Sequence, residues 1–256
     1  MVSLKGKVVF VSGASSGIGC STAKLFSLHG ARVVLGCRTR GDCADIIGGI
    51  KAKGGQAKEV HGDISDLSKI PDMAAAIIGA WGRLDILINN AATINPMAGI
   101  ADINLEELDT CIRTNLTAQI ILISRVWKKL SEHKGFVVNI LSGAAKSPRF
   151  GWTAYCASKA ALHMVTKQVC LEGEECGIKS FGFAPGLVST KMQNSVRESG
   201  INEISFLPKS AMISPEEPAR CILLLASGQC DEYNGQFLDI RDKLFKEKIK
   251  FNKSNV

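Results

Sequence analysis

Alternation of short apolar runs with longer helical segments is the feature that most constrains the fold of this chain. The helical segments have amphipathic spacing and lie near residues 17–29, 41–53, 67–80, 104–131, 152–176 and 215–227. The β-rich runs lie at residues 7–12, 32–36, 57–61, 84–89, 135–141, 178–184 and 236–240. Strands separated by helices pair in parallel, and helices cover both faces of such a sheet. The sequence therefore predicts a doubly wound α/β fold with seven parallel strands.

Size and composition indicate a single globular domain. The 256 residues are 46% hydrophobic and 21% charged, and the apolar residues are spread evenly. This balance excludes a disordered, collagen-like or coiled-coil chain. We expect one domain over residues 1–256, with an irregular loop at 187–214 and a basic C-terminal tail at 243–256.

The distribution of charge and hydropathy limits the possible partners. More than half of the net charge of +7 lies in residues 241–256, and a lysine-rich terminus without a binding motif is typical of a solvated tail. No apolar run reaches the roughly 18 residues of a membrane span. The N-terminus lacks the layout of a secretory signal. We therefore expect a cytoplasmic protein with no nucleic-acid or membrane partner.

The cysteines and histidines predict no metal site. The nine cysteines are odd in number, scattered along the chain and without a C-x-x-C pair. The four histidines are also dispersed. Reduced thiols in the cytoplasm are the simplest interpretation.

A glycine-rich turn follows the first predicted strand. Residues 12–19 read S-G-A-S-S-G-I-G and run directly into a predicted helix. Glycines let the backbone turn sharply and approach a pyrophosphate, which the N–H groups of the helix N-terminus then face. A purely structural turn is the alternative, but the position after the first strand favours dinucleotide binding. The candidate contacts are Gly13, Ser15, Ser16, Gly17, Ile18 and Gly19.

The end of the second predicted strand indicates which dinucleotide binds. NAD-binding proteins place an acidic residue there for the ribose 2′-hydroxyl, whereas NADP-binding proteins place a cation there for the 2′-phosphate. Residues 33–40 contain no carboxylate, and Arg38 can bind a phosphate with two N–H groups. A surface pair of Arg38 and Arg40 is the alternative. The sequence favours NADP(H).

A tyrosine and a lysine four residues apart form the candidate catalytic pair. Tyr155 and Lys159 lie early in a predicted helix, where such positions share a face. A tyrosine with a pKa of about 10 is a poor acid or base at neutral pH, and a nearby cation lowers that pKa. The pattern alone is common by chance. Ser142 adds weight because it ends a predicted strand, where its hydroxyl can bind a substrate oxygen.

Together these motifs resemble those of the short-chain dehydrogenase/reductase family over nearly the whole chain. Residues 12–19 are similar to T-G-x-x-x-G-x-G, with Ser12 for threonine, and residues 89–92 resemble N-N-A-G, with Ala92 for the last glycine. Residues 185–190 fit P-G-x-V-x-T. The two departures cast little doubt on activity, but we expect them to loosen local turns. The resemblance implies a single-domain Rossmann-type fold with helices on both faces of the sheet.

The resemblance also implies a catalytic tetrad of Asn115, Ser142, Tyr155 and Lys159. Tyr155 would donate a proton to a carbonyl oxygen as hydride arrives from the nicotinamide, and Ser142 would hold that oxygen. Lys159 would bind the nicotinamide ribose and lower the pKa of Tyr155, and Asn115 would position Lys159 through a water.

Further residues are implied by the same resemblance. Asp63 would contact the adenine, and Val188 and Thr190 would fix the carboxamide. The remaining implied cofactor contacts are Ile64, Asn90, Tyr155, Lys159, Pro185 and Gly186. We expect Asp85 and Ser124 to be structural. The family pattern also implies a homodimer or homotetramer built on the helices near 104–131 and 152–176.

A finer resemblance concerns the substrate. Residues 151–161, 184–193 and 237–243 are similar to sepiapterin reductases, a branch that includes reductases of aromatic 1,2-diketones. This resemblance implies an NADPH-dependent reductase of a vicinal dicarbonyl or a pterin side chain, with the loop at 187–214 closing over the substrate. Asp242 would anchor a pterin or merely pair with a nearby lysine. The implied substrate residues are Ser142, Tyr155, Gly186, Met192 and Asp242.

Two other functions fit the same sequence. A reductase of 3-oxoacyl thioesters or hydroxysteroids would use the same tetrad, because one fold hosts many substrates. A regulatory protein that binds NADPH without turnover is the alternative of another class, but such a protein has no need of Tyr155.

Overall fold

One parallel sheet organises the part of the chain that the computed structural model describes, residues 2–242 and 247–248. Its order is β3-β2-β1-β4-β5-β6-β7, and every neighbouring pair is parallel. The strands are β1 (Val8–Val11), β2 (Arg32–Cys37), β3 (Gln56–His61), β4 (Ile86–Asn89), β5 (Phe136–Ile140), β6 (Lys179–Ala184) and β7 (Phe237–Asp239). The predicted seven-stranded parallel sheet is confirmed.

Helices cover both faces of the sheet, as predicted. They are α1 (Gly17–Leu28), α2 (Ala44–Ala52), α3 (Ile70–Gly79), α4 (Leu105–Ile112), α5 (Ala118–Glu132), α6 (Thr153–Glu172), α7 (Lys191–Ser199) and α8 (Glu216–Leu225). Val9 and Val11 of β1 pack in a core with α1, α2 and α8, whereas Val8 and Phe10 pack in a core with α3, α5 and α6. Side chains alternate along a strand, so fully apolar β1 supplies both cores.

The predicted helix at 104–131 contains an unexpected widened turn. Helical structure runs through α4 and α5, but Arg113–Thr117 between them is π-helical. Asn115 lies in this turn and is fully buried. Turns of this kind occur often at functional sites, because they re-aim one side chain without ending the helix.

The segment 187–214 is more regular than predicted. It contains α7 and two short turns of 3-10 helix, Glu203–Phe206 and Lys209–Ala211. Thr190 caps α7 at its N-terminus by accepting from the backbone N–H of Gln193, and Gly200 ends the helix in a left-handed conformation. The helix is mostly polar and offers only Met192 and Val196 as large apolar residues, which is a weak signal in sequence.

Two further expectations concern the chain as a whole. No helix within the described residues is long and apolar enough to cross a membrane. The basic tail at 243–256 lies outside the described residues except for 247–248.

Candidate active site

A cleft of about 910 Å³ opens at the carboxyl ends of the strands. The chain order of the sheet reverses beside β1, which pairs with β2 on one side and β4 on the other. Ligands of doubly wound folds bind at such a switch point. The cleft is large enough for an extended cofactor together with a small substrate.

The glycine-rich turn forms the floor of this cleft between β1 and α1. Gly13 adopts a φ of +63°, and a Cβ there would lie 3.0 Å from the Cα of Ala91. A Cβ on Gly19 would clash with the carbonyl oxygen of Gly13. Larger residues at either position would therefore push the turn apart. Of the predicted contacts, Gly13, Ser15, Ser16 and Ile18 line the cleft.

The start of α1 is suited to an anion. Ser16 is the N-cap residue, and its side chain makes no capping hydrogen bond to the helix. Helix N-termini carry backbone N–H groups without intrahelical partners, and phosphate binds readily there. Gly17 does not line the cleft. It lines a smaller neighbouring pocket together with Thr190.

Ser12 ties this turn to the end of β4. Its hydroxyl accepts from the backbone N–H groups of Asn90 and Ala91, both at 2.9 Å, and donates to the carbonyl of Ile88 at 3.3 Å. The Asn90 side chain returns a hydrogen bond of 2.8 Å to the Ser12 carbonyl. The loosening expected of serine is not seen, because the Ser12 hydroxyl and carbonyl together hold the turn against the end of β4.

The cleft also carries four further residues that are predicted to contact the cofactor. Arg38, Asp63, Ile64 and Asn90 all line it. Arg38 is exposed, and within residues 2–242 and 247–248 no carboxylate forms an ion pair with it. The guanidinium therefore remains available to a phosphate. Asp63 accepts from the Ser65 backbone and hydroxyl, which fixes its carboxylate at the wall.

Three members of the predicted tetrad meet beside the end of β5. Tyr155 and Lys159 project from the first turns of α6 and are 7% and 2% exposed. The Lys159 ammonium donates to the carbonyl of Ile140 at 2.7 Å and lies 5.7 Å from the centre of the Tyr155 ring. Ser142 follows β5, and its hydroxyl accepts from the backbone N–H of Ala144 at 3.2 Å. All three residues line the cleft.

Burial dominates the electrostatics of this group. Burial raises the pKa of Tyr155 to about 12, and the neighbouring Ser142 hydroxyl only partly opposes this rise. Burial lowers the pKa of Lys159 to about 8. The Lys159 ammonium donates to Ile140 and lies beside the Tyr155 ring. That Lys159 lowers the pKa of Tyr155 stays a prediction. Tyr155 is a neutral phenol at pH 7, the form that can donate a proton.

Asn115 supports the tetrad from behind the cleft wall. Its amide bonds both backbone groups of Thr93 at 2.8 Å and donates to the Ser158 hydroxyl at 3.1 Å. Ser158 precedes Lys159 on α6, and Thr93 lines the cleft. Asn115 therefore joins the end of β4 to α6 directly. Its water-mediated contact with Lys159 stays a prediction.

The loop after β6 closes one side of the cleft. The predicted cofactor contacts Pro185, Gly186, Val188 and Thr190 line it, and so does Met192 at the start of α7. The methyl group of Thr190 lies 3.1 Å from where a Cβ on Gly17 would stand. The loop therefore packs directly on the glycine turn.

The prediction for Asp242 needs correction. Its carboxylate accepts from the backbone N–H of Asp239 at 3.1 Å, and Asp242 does not line the cleft. Arg241 lines it instead, held by two hydrogen bonds of 2.8 and 2.6 Å to the Asp239 carboxylate. The turn after β7 directs the Arg241 side chain into the cleft and the Asp242 side chain onto the backbone. The spacing of residues in the sequence does not reveal this difference.

Two buried donors in the substrate wall were missed from sequence. The Trp152 ring packs edge-on against Tyr155, with centroids 5.8 Å apart. Its Nε1–H and the Gln193 Nε2 are buried and find no hydrogen-bond partner within the described residues. Both residues line the cleft. Their signal in the sequence is weak, because they become neighbours of Tyr155 only through the fold.

Asp85 is structural, as expected. Its carboxylate accepts from the backbone of Val8 at 2.9 Å and from Arg83 and Lys7. These donors hold the pKa of Asp85 below its usual range, although burial opposes them. The group joins β1 to β4 and does not line the cleft.

Comparison with known proteins gives the family of this chain. Residues 7–200 match the family model of short chain dehydrogenases. The chain is 30% identical to a 2,5-dichloro-2,5-cyclohexadiene-1,4-diol dehydrogenase of Sphingobium indicum, covering 93% of this chain and 95% of that protein. It is 29% identical to a 3-oxoacyl-[acyl-carrier-protein] reductase of Thermotoga maritima, covering 93% and 97%.

A solved structure gives the same assignment. A protein of Beutenbergia cavernae, described as an NAD(P)-dependent gluconate 5-dehydrogenase with NADP bound at low occupancy, superposes with a TM-score of 0.84. It is 29% identical, and the match covers 93% of this chain and 96% of that one. The chain therefore belongs to the short-chain dehydrogenase/reductase family. It is an oxidoreductase.

Proposed function

We propose that this protein is an NADPH-dependent carbonyl reductase that acts on a ketone of a vicinal dicarbonyl or of a pterin side chain. The observation that carries the proposal is the buried, protonated Tyr155 beside Ser142 and Lys159 at the cleft wall. A protonated phenol suits the reduction of a carbonyl, which takes up a proton at oxygen. A regulator without turnover would gain nothing from this arrangement.

The cleft fits NADP(H), supported by the related structure that contains NADP. The glycine turn and the uncapped start of α1 would hold the pyrophosphate, and Arg38 would bind the 2′-phosphate. Lys159 would bind the nicotinamide ribose, and the loop with Val188 and Thr190 would hold the carboxamide. When bound, NADPH supplies the hydride.

The residues of this chain supply the proton and the orientation. Ser142 donates a hydrogen bond to the substrate carbonyl and orients it toward Tyr155. Tyr155 releases its proton to the carbonyl oxygen as negative charge develops there. The Lys159 ammonium stabilises the resulting phenolate by its positive charge. Proton donation by a positioned side chain contributes about 10²–10⁴-fold to rate.

The buried donors of Trp152 and Gln193 support a substrate with a second acceptor. Buried polar groups are normally hydrogen-bonded, and these N–H groups, which are closed off from solvent, would turn toward the cleft to reach a ligand oxygen. A vicinal dicarbonyl carries such an oxygen next to the reacting one. Met192 and the Trp152 ring offer apolar surface to the rest of the substrate.

A 3-oxoacyl thioester is the second candidate substrate. Its support is the relative from Thermotoga maritima, which is named a 3-oxoacyl-[acyl-carrier-protein] reductase. A 3-oxoacyl thioester also presents two carbonyl groups, spaced one carbon further apart.

The deciding experiment follows oxidation of NADPH by absorbance with benzil, sepiapterin, an acetoacetyl thioester and a ketosteroid, each repeated with NADH. We expect turnover of benzil or sepiapterin, faster with NADPH. Turnover confined to the thioester or the steroid would overturn the substrate assignment. Tight NADPH binding without turnover of any of the four would overturn the reductase assignment as stated.

We also propose a homodimer or homotetramer in the cytoplasm. Its support is a set of exposed apolar side chains on the helices where the family pattern places subunit contacts: Leu105, Ile120, Met164 and Leu171. All nine cysteines are free thiols, which suits a reducing compartment. Light scattering after gel filtration gives the assembly mass directly.

A further inference from the structure

Three metal-ligating side chains meet behind the Arg38 end of the cleft. Cys37 ends β2, Cys43 precedes α2, and Glu59 lies in β3. One sulfur or oxygen atom of each lies within 4.8 Å of the others. Cys37 and Cys43 are 5% and 0% exposed, and Glu59 is half-buried. We refer to these three residues as the thiol cluster.

The backbone already holds the carboxylate of the thiol cluster in place. Glu59 accepts from the N–H of Gly41 at 2.9 Å and from the N–H of Cys43 at 3.1 Å. A carboxylate has about four acceptor positions, so two remain for another partner. The parallel pairing of β2 with β3 sets Cys37 opposite His61, two residues beyond Glu59, which fixes the spacing of the ligands along the sheet.

The chemistry of these donors selects a class of ion. Two thiolates and one carboxylate suit Zn²⁺ or a similar thiophilic divalent cation, which takes three protein ligands and leaves a fourth position open. Mg²⁺ and Ca²⁺ prefer oxygen ligands alone. Cys37 also lines the cleft, which gives an ion a path from solvent.

We propose that the thiol cluster binds Zn²⁺ or another thiophilic divalent cation and thereby closes the loop at residues 38–42. As the two metal–sulfur bonds form, the two thiol protons pass to solvent, and no oxidation takes place. The closed loop carries Arg38 and Asp42, which both line the cleft. Ion binding would therefore hold Arg38 where a 2′-phosphate lies. This last link rests on the proposed NADP(H) function, whereas the ion site itself does not.

The first test measures ion binding alone. Reduced, chelator-stripped protein is titrated with Zn²⁺ in competition with a chromophoric chelator, and the Cys37→Ser/Cys43→Ser variant is compared with the wild type. The control is Cys170→Ser/Cys176→Ser, which removes two half-buried thiols outside the thiol cluster. We expect wild type and control to bind one equivalent at least about tenfold more tightly than the cluster variant. Equal binding by all three proteins would overturn the proposal.

The second test uses the unaltered protein and so does not depend on the variants folding. X-ray absorption at the zinc edge of protein loaded with one equivalent is expected to show two sulfur ligands with lighter atoms completing the shell. A shell without sulfur, or with three or more sulfurs, would overturn the assignment. Peptide mass spectrometry after treatment with a reductant gives a further check. A Cys37–Cys43 disulfide that survives this treatment would also overturn the assignment.

The third test measures the link to the cofactor. Dissociation constants of NADPH and NADH are determined by tryptophan fluorescence with and without Zn²⁺. We expect Zn²⁺ to tighten NADPH binding about fivefold and NADH binding less, and Arg38→Ala to remove the difference. Unchanged NADPH affinity in zinc-loaded protein would overturn loop closure and leave the ion site standing. Failure of NADPH to bind under either condition would instead contradict the proposed function.

Discussion

The cofactor half and the substrate half of the cleft are held in different ways. In the cofactor half, the side chains of Ser12 and Asn90 join the ends of β1 and β4 through short hydrogen bonds to the backbone. In the substrate half, the wall is the mostly polar helix α7 and the turn Glu203–Phe206, where Phe206 is 73% exposed. Rigid elements position chemical groups most accurately, whereas segments that move to admit substrates have lower local stability. We therefore expect substitutions in the cofactor half to weaken cofactor binding strongly, and substitutions in the substrate half to have smaller effects.

The largest expected effect comes from removing the proton donor where the two halves meet. Tyr155→Phe keeps the packing against Trp152 but removes the hydroxyl. We expect kcat to fall about 10³-fold, with the Kd for NADPH within about twofold of wild type. Steady-state kinetics and fluorescence titration measure the two quantities.

The chain offers a matched control in its second tyrosine. Tyr233→Phe removes the same atom from a residue that does not line the cleft. Its kcat should match that of the wild type. Substantial turnover by Tyr155→Phe would show that another group donates the proton.

The second prediction concerns the charge of Lys159. Burial lowers its pKa to about 8, so Lys159 loses its proton as pH rises through this value. The neutral amine cannot stabilise a phenolate, so kcat should fall about tenfold for each pH unit above about 8. Lys159→Arg keeps the charge over this range and should flatten the profile, although at a lower rate.

The same shift has a consequence for stability, with a defined sign. The folded pKa of Lys159 lies below the unfolded value of 10.5. Between about pH 8 and 10.5 the unfolded chain therefore binds more protons, and the free energy of unfolding rises with pH. Lys159→Met should remove this rise in urea titrations. An unchanged slope would indicate that Lys159 titrates at its ordinary pKa.

Much of the fold and of the cofactor half of the cleft was predictable from sequence, for physical reasons. The buried strands are continuous apolar runs, and the glycine turn is one contiguous motif. The widened turn at Arg113–Thr117 was not predictable, because Asn115 bonds Thr93 far away in sequence. Helix α7 is mostly polar, so its few apolar residues give a weak signal in sequence. The thiol cluster joins three separate elements, so its spacing along the chain resembles no known metal motif.

The third prediction tests the rigidity of the cofactor half. Ser12→Ala leaves the part-buried N–H groups of Asn90 and Ala91 without their acceptor. Such a loss costs about 1–3 kcal/mol of unfolding free energy, and the Kd for NADPH should rise about tenfold as the turn relaxes. Ser12→Thr keeps the hydroxyl and should retain both values. Equal stability of the alanine and threonine variants would contradict the role of this hydroxyl.

The smallest expected effect belongs to the substrate half. Trp152→Phe keeps an aromatic ring beside Tyr155 but removes the buried Nε1–H, which has no partner within the described residues. If a second carbonyl oxygen accepts from this group, KM for benzil should rise about fivefold, which corresponds to about 1 kcal/mol for one neutral hydrogen bond. KM for a simple aryl ketone should stay unchanged, because that substrate has no second oxygen. The ratio of the two changes separates a lost hydrogen bond from altered packing, since packing changes would affect both substrates alike. An equal rise in KM for both ketones would show that the Trp152 Nε1–H does not bind the second oxygen. Gln193 would then be the buried donor to test next.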